Sequence, residues 1–358
     1  MPANGKIRVG VNGYGVIGKR VADAVAKQGD MTLAGVADIV TDWRVQIAVK
    51  RGYALYGAND EGARAMEQAG LPVAGTLSHL LKGVDVIVDC TPKRIGARNA
   101  ESYRRTGVKF IVEGGEKHDV AGHSFVAEAS YDSARGRDAT RVVSCNTTSI
   151  VRTLTTLKRN GLLSRARGTL LRRATDPWES DKGGIMNTLV PEPHIPSHQG
   201  PDAQSVDPSL DVVTMAVKVP ETIGHLHYWT VQLARHADAE EIIAAFRGSS
   251  RVAPIRMADG LPALNSVKEL MADLGRPREN LYEVALWTDM LTVHGDEAFY
   301  AYMVDNQAIV IPETIDAIRA LMDAASANES IARTNAALGI DPRLWTAKAE
   351  RVAEPVAG

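Results

Sequence analysis

Two stretches of this 358-residue chain set reactive side chains beside backbone that could aim them. The first is Val142-Val143-Ser144-Cys145-Asn146-Thr147-Thr148-Ser149. An apolar run ends at the cysteine, and the Ser, Asn and Thr around it are residues that start helices. A thiol at a helix N-terminus faces the positive end of the helix dipole and unpaired N–H groups, which is expected to lower its pKa. The same N–H groups can hold an oxyanion or a phosphate. Cys145 therefore reads as a nucleophile. Cys90, at the end of the apolar run Val84–Asp89, reads as a buried small hydrophobe.

The second stretch is Gly13-Tyr14-Gly15-Val16-Ile17-Gly18, between an apolar run and an amphipathic one. Gly13 would allow a tight turn, Gly15 would let backbone approach a pyrophosphate, and Gly18 would let helix pack on strand. The following helix would then point its N-terminus at the phosphates. Asp38 ends the next strand, where a carboxylate reaches the ribose 2′-hydroxyl of a dinucleotide. A carboxylate there repels a 2′-phosphate. NAD is the expected cofactor, with NADP still admissible.

A thiolate beside a nicotinamide suggests aldehyde oxidation. The thiolate adds to the carbonyl, hydride leaves, and water or phosphate releases the resulting thioester. Such a step calls for a general base, usually histidine. His194 and His198 lie in a Pro-, Gly- and Ser-rich stretch, Asp176–Pro208. His225 and His227 enter a strand-like run and would share a face. Spacing does not choose between these two. A metal pair would need a third ligand, and none is evident. Arg172-Arg173 suits a bidentate anion contact, or else a solvated strand end.

These residues need elements to hold them. Residues 1–145 alternate strand and helix patterns, with strands at Ile7–Asn12, Met31–Ala37, Val84–Asp89, Lys109–Val112 and Thr140–Ser144. That order predicts an α/β domain, a Rossmann doubly wound parallel sheet. After Cys145 a helix is expected over Asn146–Lys158, then strands near Gly168–Leu171, Leu210–Val219 and Tyr228–Leu233. These predict an α+β catalytic domain with a mixed sheet over 146–310. A helix at Ile311–Asn328 falls in a segment, 311–340, expected to return to the first domain, and 341–358 reads as a tail.

Composition bounds the rest. Net charge is −2, with 45% hydrophobic and 23% charged residues, so no footprint for nucleic acid is visible. No apolar run approaches the roughly 20 residues of a membrane helix. The first residues lead into a strand without a signal-peptide pattern, and two cysteines are too few for a disulfide framework. A cytoplasmic protein is expected.

The chain resembles archaeal-type (class II) glyceraldehyde-3-phosphate dehydrogenase from Ile7 to about Ile340. The resemblance rests on the Val9–Arg20 turn, Gly114-Gly115-Glu116-Lys117, Val142–Thr148, Arg172-Arg173-Ala174 with Asp176-Pro177, Pro196-Ser197-His198 with Gly200-Pro201-Asp202, and Ile311-Pro312-Glu313. It implies oxidative phosphorylation of an aldehyde by a homotetramer, with a small anionic aldehyde and inorganic phosphate as partners. It implies Cys145 as nucleophile and His225 as base. Gly15, Val16, Gly115, Arg173 and Gln307 match cofactor-contacting positions, and Gly13, Gly18, Asp38 and Thr91 complete that set. Ser144, Asn146, Gln199 and Gly200 fall where the family contacts its triose phosphate, and Thr147 and His198 join them.

The chain also departs from the family pattern. His198-Gln199-Gly200 stands for the usual His-His-Gly, and Gln199 can donate but never carries charge. Ala37-Asp38-Ile39 replaces a Thr-Lys-Thr suited to a 2′-phosphate, which again favours NAD. Thr147-Thr148-Ser149 replaces Thr-Thr-Gly, and Val304-Asp305-Asn306-Gln307-Ala308 replaces Val-His-Gln-Glu-Ser. A phosphonoaldehyde, or release of a free acid, is the alternative reading of these changes.

Overall fold

The computed structural model describes residues 5–113, 115–174 and 189–341. Gly114, Asp176-Pro177 and the tail after Asp341 lie outside the described residues. The described chain divides into two compact units. Residues up to Ser144 join Val310–Gly339 in one, and Cys145–Ile309 form the body of the other.

The first unit is built on a parallel sheet. Its strands are β1 (Ile7–Asn12), β2 (Met31–Asp38), β3 (Leu55–Gly57), β4 (Val73–Thr76), β5 (Val86–Asp89), β6 (Lys109–Val112), β7 (Ser124–Phe125) and β8 (Ala139–Val142). Strand β1 is buried at Val9, Val11 and Asn12 alike, as expected where helices cover both faces. The sheet order is β4-β3-β2-β1-β5-β6-β8-β7. The chain winds outward from β1 to β4 and then restarts on the other side at β5. The gap beyond β1 and β5 is thus the switch point, where open α/β sheets bind ligands.

Two helices, Ile311–Leu321 and Ala327–Leu338, belong to this unit. The sequence pattern predicts one helix running to Asn328. It breaks because Asp323 adopts φ 48° and Ser326 caps a new helix, paired reciprocally with Glu329. Arg319 fixes the pair to the sheet. It is buried, its guanidinium forks onto Asp30 at 2.8 Å through both Nε and Nη2, and it also donates to Gln28 and Thr334 at 2.7 Å. Glu313 accepts from the Ala127 N–H, and Thr314 donates to Glu113.

The second unit holds a mixed sheet: β9 (Leu163–Arg173), β10 (Val190–Pro191), β11 (Val212–Val219), β12 (Gly224–Leu233), β13 (Val252–Ile255), β14 (Val284–Trp287), β15 (Thr292–His294) and β16 (Glu297–Asp305). The order is β10-β11-β9-β12-β16-β14-β13, with β15 on β16. Strand β12 runs antiparallel to both β9 and β16 at the centre. Its residues His225, His227, Trp229, Val231 and Leu233 are buried on one face, in the period of two that a strand imposes. The helix Cys145–Arg159 is buried along most of its length, its Thr153 and Thr156 hydroxyls bonded to carbonyls one turn back. Fully buried Arg152 ties this helix to the Tyr282 and Ile309 carbonyls at 2.7 and 3.0 Å. The stretch expected as one long loop contains, in its described part, β10 and a helix at Gln199–Gln204.

Replacing Arg319 by Met removes the fork while leaving Asp30 and Gln28 in place. The variant should lose about 3 kcal/mol in unfolding free energy, the lower end for breaking a buried pair because Asp30 is partly exposed. Urea unfolding of the variant measures it.

Candidate active site

Three glycines shape the turn after β1, each for a separate reason. Gly13 has φ +92°, and a Cβ on it would lie 2.9 Å from the Cys90 carbonyl carbon and the Thr91 nitrogen at the end of β5. A Cβ on Gly18 would lie 1.8 Å from the Gly13 carbonyl oxygen, so helix and turn could not meet. A Cβ on Gly15 would meet no protein atom within 4 Å. It faces open space at the start of the helix Val16–Ala26, whose cap makes no side-chain hydrogen bond. That is the cradle a pyrophosphate needs.

Asp38 ends β2 with its carboxylate turned to this turn. Oδ2 accepts from the Tyr14 N–H at 2.7 Å, and Oδ1 accepts from Ile39 at 2.7 Å and Val40 at 3.3 Å. Oδ2, with a single donor, keeps acceptor capacity for a ribose hydroxyl. Thr91 follows β5 and donates its N–H to buried Asp89 at 3.0 Å. Gly115 follows β6, beside Lys93. Gly13, Gly15, Val16, Gly18, Asp38, Thr91 and Gly115 thus share the carboxyl ends of β1, β2, β5 and β6. Arg173 and Gln307 belong to the other unit, at the ends of β9 and just after β16.

In the second unit the helix starts at Cys145 itself. Sγ lies 3.3 Å from Nε2 of His225. On the far side of that ring, the backbone N–H of Arg173 donates to Nδ1 at 3.0 Å. An N–H can only donate, so Nδ1 carries no proton. Burial, then His227, Arg173 and Arg172, hold the His225 pKa well below its ordinary value. The ring is therefore neutral, with its single proton on Nε2 facing the sulfur. Asn146 turns Nδ2 toward Sγ at 3.9 Å, and its Oδ1 accepts from Nε2 of His227 at 2.8 Å. The adjacent histidines thus face different partners, which spacing alone left open.

The thiol departs from expectation. Burial pushes the Cys145 pKa up, and Arg173, the Asn146 backbone N–H and Arg172 offset only part of that. A helix start does favour the thiolate, but desolvation outweighs it here.

A polar cluster lies on β9 and the helix Gln199–Gln204. Arg172 pairs with Glu192, and Nδ1 of His198 lies 3.1 Å from the other Glu192 oxygen. With its amide donating to Ser197 Oγ at 2.7 Å, Gln199 accepts from Arg172 at 3.1 Å and from His198 at 3.3 Å. Gly200 donates to Thr214, and a Cβ on it would press within 3.2 Å of that hydroxyl. Thr147 donates its hydroxyl to Asp202 at 2.7 Å. Ser144 is half-buried at the last position of the first unit. Glu192 and Tyr302 were not singled out in the sequence, where neither sits in a recognisable motif. Among the described residues no group of three or more His, Cys, Asp or Glu could hold a metal ion, and no helix is long and apolar enough to cross a membrane.

Comparison with known proteins adds three findings. Residues 144–272 match the family described as glyceraldehyde 3-phosphate dehydrogenase, C-terminal domain. Residues 7–118 match that described as dihydrodipicolinate reductase, N-terminus. Proteins named glyceraldehyde-3-phosphate dehydrogenase align over nearly the whole chain. That of Methanobrevibacter smithii is 44% identical over 93% of this chain and 99% of its own length. That of Archaeoglobus fulgidus is 44% identical over 94% and 98%, and that of Thermococcus kodakarensis 44% over 94% and 99%.

The glycine geometry makes a paired prediction. Gly15→Ala should fold with near-normal thermal stability yet lose dinucleotide affinity, because its Cβ enters only the open cradle. Gly18→Ala should lower both, because its Cβ overlaps the Gly13 carbonyl. Calorimetric titration with NAD beside a melting curve separates the two.

Proposed function

Because the chain belongs to the archaeal-type glyceraldehyde-3-phosphate dehydrogenase family, whose oxidoreductases work with NAD(P), we propose that it oxidises glyceraldehyde 3-phosphate with NAD and phosphorylates the product. One observation carries this reading: a cysteine sulfur at a helix start with two oriented N–H donors, from His225 and Asn146, aimed at it. The glycine turn, Val16, Asp38, Thr91 and Gly115 would hold the dinucleotide. When bound, its nicotinamide supplies the hydride acceptor.

The thiolate of Cys145 adds to the aldehyde carbon, forming a C–S bond and pushing the carbonyl electron pair onto oxygen. Nε2–H of His225 and Nδ2–H of Asn146 are aimed where that oxyanion develops. Donors of this kind are each worth about 100-fold or more in rate when the site is preorganised. Collapse of the oxyanion expels hydride from carbon and leaves a thioester on Sγ. Attack by inorganic phosphate on the thioester carbon regenerates the oxyanion at the same donors and then releases the thiolate. Ser144, Thr147 at the helix start, and the Arg172, His198, Gln199 and Gly200 cluster are the groups suited to the anionic ends of aldehyde and phosphate.

The role of His225 in this scheme differs from the base expected from the family. Nε2 could accept a proton only if Nδ1 carried one, against the Arg173 N–H. His225 therefore works as a donor to sulfur and oxyanion; the thiol's proton leaves to solvent before addition and returns after the thiolate is released, so the net proton comes from hydrogen phosphate as it becomes the acyl phosphate. His225→Gln, which keeps an N–H near the Nε2 position, should retain at least tenfold more kcat than His225→Ala. Equal loss in both would return the base role.

Cys145→Ser should abolish reduction of NAD by glyceraldehyde 3-phosphate while leaving NAD affinity within about twofold. Substantial turnover would remove covalent catalysis. Asp38→Ala should shift the ratio of kcat/KM for NAD over NADP toward NADP by about tenfold, the worth of one hydrogen bond to a charged group. The wild-type assay run with and without phosphate, and with a phosphonoaldehyde beside the triose phosphate, identifies the acceptor and the aldehyde. Undiminished acid formation without phosphate would make the enzyme non-phosphorylating.

A further inference from the structure

We propose that His227 is a positioning residue which, with Tyr302 behind it, holds the Asn146 carboxamide with its NH2 toward the reacting oxygen. The inference rests on the covalent reading above and deepens it.

A carboxamide is nearly symmetric in shape. Turning it over exchanges oxygen and NH2 at almost no steric cost, so only its hydrogen-bond partners set its polarity. At Asn146 that choice matters chemically. With Nδ2 toward Sγ, the group donates to thiolate and oxyanion. Turned over, it would aim Oδ1 at the same negative charge and repel it.

The partners that decide are on β12 and β16. His227 and Tyr302 are directly opposed across that antiparallel pair. His227 is fully buried, and burial together with Arg172 holds its pKa down at about 3, so the ring carries one proton. Nδ1 lies 3.0 Å from the Tyr302 hydroxyl, and Nε2 lies 2.8 Å from Asn146 Oδ1. The Tyr302 hydroxyl has one hydrogen and two acceptors in reach, Nδ1 at 3.0 Å and Ser149 Oγ at 3.3 Å; given to the nearer Nδ1, it leaves the ring proton on Nε2, and Nε2–H then requires an acceptor at Asn146. The polarity thus runs from Tyr302 through His227 to Asn146. Ser149 donates its hydroxyl to the Asn146 backbone carbonyl at 2.8 Å, which leaves its oxygen as the more distant acceptor for the Tyr302 hydrogen. The Tyr302 and Trp229 rings pack against the imidazole, with centroids 4.9 and 6.4 Å away.

The test is a double-mutant cycle read by single-turnover hydride transfer, with KM for the aldehyde and the NAD dissociation constant measured alongside. Asn146→Ala should slow hydride transfer by about 100-fold, as for loss of one oxyanion donor. His227→Phe should slow it at least tenfold in the wild-type background and have no further effect in the Asn146→Ala background. His227→Gln, with an N–H near the Nε2 position, should recover most of the loss. Tyr302→Phe removes one oxygen atom and keeps the ring, so it decides the matter even where His227→Phe does not fold. It should lower kcat with KM and NAD affinity unchanged, again only when Asn146 is present. The proposal is overturned if Tyr302→Phe leaves kcat intact, or if either substitution slows the Asn146→Ala protein as much as the wild type. Turnover surviving in Cys145→Ser would instead bring down the covalent reading itself.

Discussion

A neutral imidazole has one N–H to give, and the backbone of β9 decides which nitrogen gives it. The N–H of Arg173 occupies Nδ1 of His225, so the proton faces Sγ of Cys145. That assignment follows from the pairing of β12 with β9, in which Leu226 lies opposite Leu171 and the strand ends bring His225 against Arg173. The helix Cys145–Arg159 is anchored by buried Arg152 on the Tyr282 and Ile309 carbonyls. Donor and nucleophile are therefore held by regular structure, as a preorganised site requires.

The same logic recurs at the other end of the chemistry. The turn after β1 is shaped by contacts within the first unit before any ligand arrives: Gly18 against Gly13, and Gly13 against the end of β5. Asp38 pins the turn through the Tyr14 N–H and retains lone pairs for a ribose. Gly15 alone has no packing reason to be glycine. Its freedom from protein contact is what separates a ligand cradle from an ordinary tight turn.

Much of this was legible in the sequence. Gly13, Gly15, Gly18 and Asp38 have spacings set by strand and helix geometry, so the parallel sheet could be read directly, whereas its strand order and switch point could not. Cys145 at a strand-to-helix junction was equally plain. The division of labour between His225 and His227 was not, because a two-residue period puts both on one face and only the neighbouring strands tell them apart. Tyr302 enters by register across β12 and β16, which no local pattern encodes. The direction of the Cys145 shift was misread because helix-start chemistry is visible in sequence whereas desolvation is not. The break at Asp323 was missed because the apolar period continues through it, and the Ser326 cap with Glu329 was the available signal.

A neutral donor beside a half-buried thiol has a direct consequence for reactivity. The Cys145 pKa is raised above the ordinary thiol value of 9.0, so below that pH the thiol form dominates and each rise in pH adds thiolate. The decisive measurement is the rate of iodoacetamide alkylation of Cys145 as a function of pH, in the enzyme without substrate. The rate should climb steadily through neutral pH and still be rising at pH 9.0. A plateau reached below neutrality would mean a thiolate paired with a protonated His225, and would contradict the donor assignment at the centre of this account.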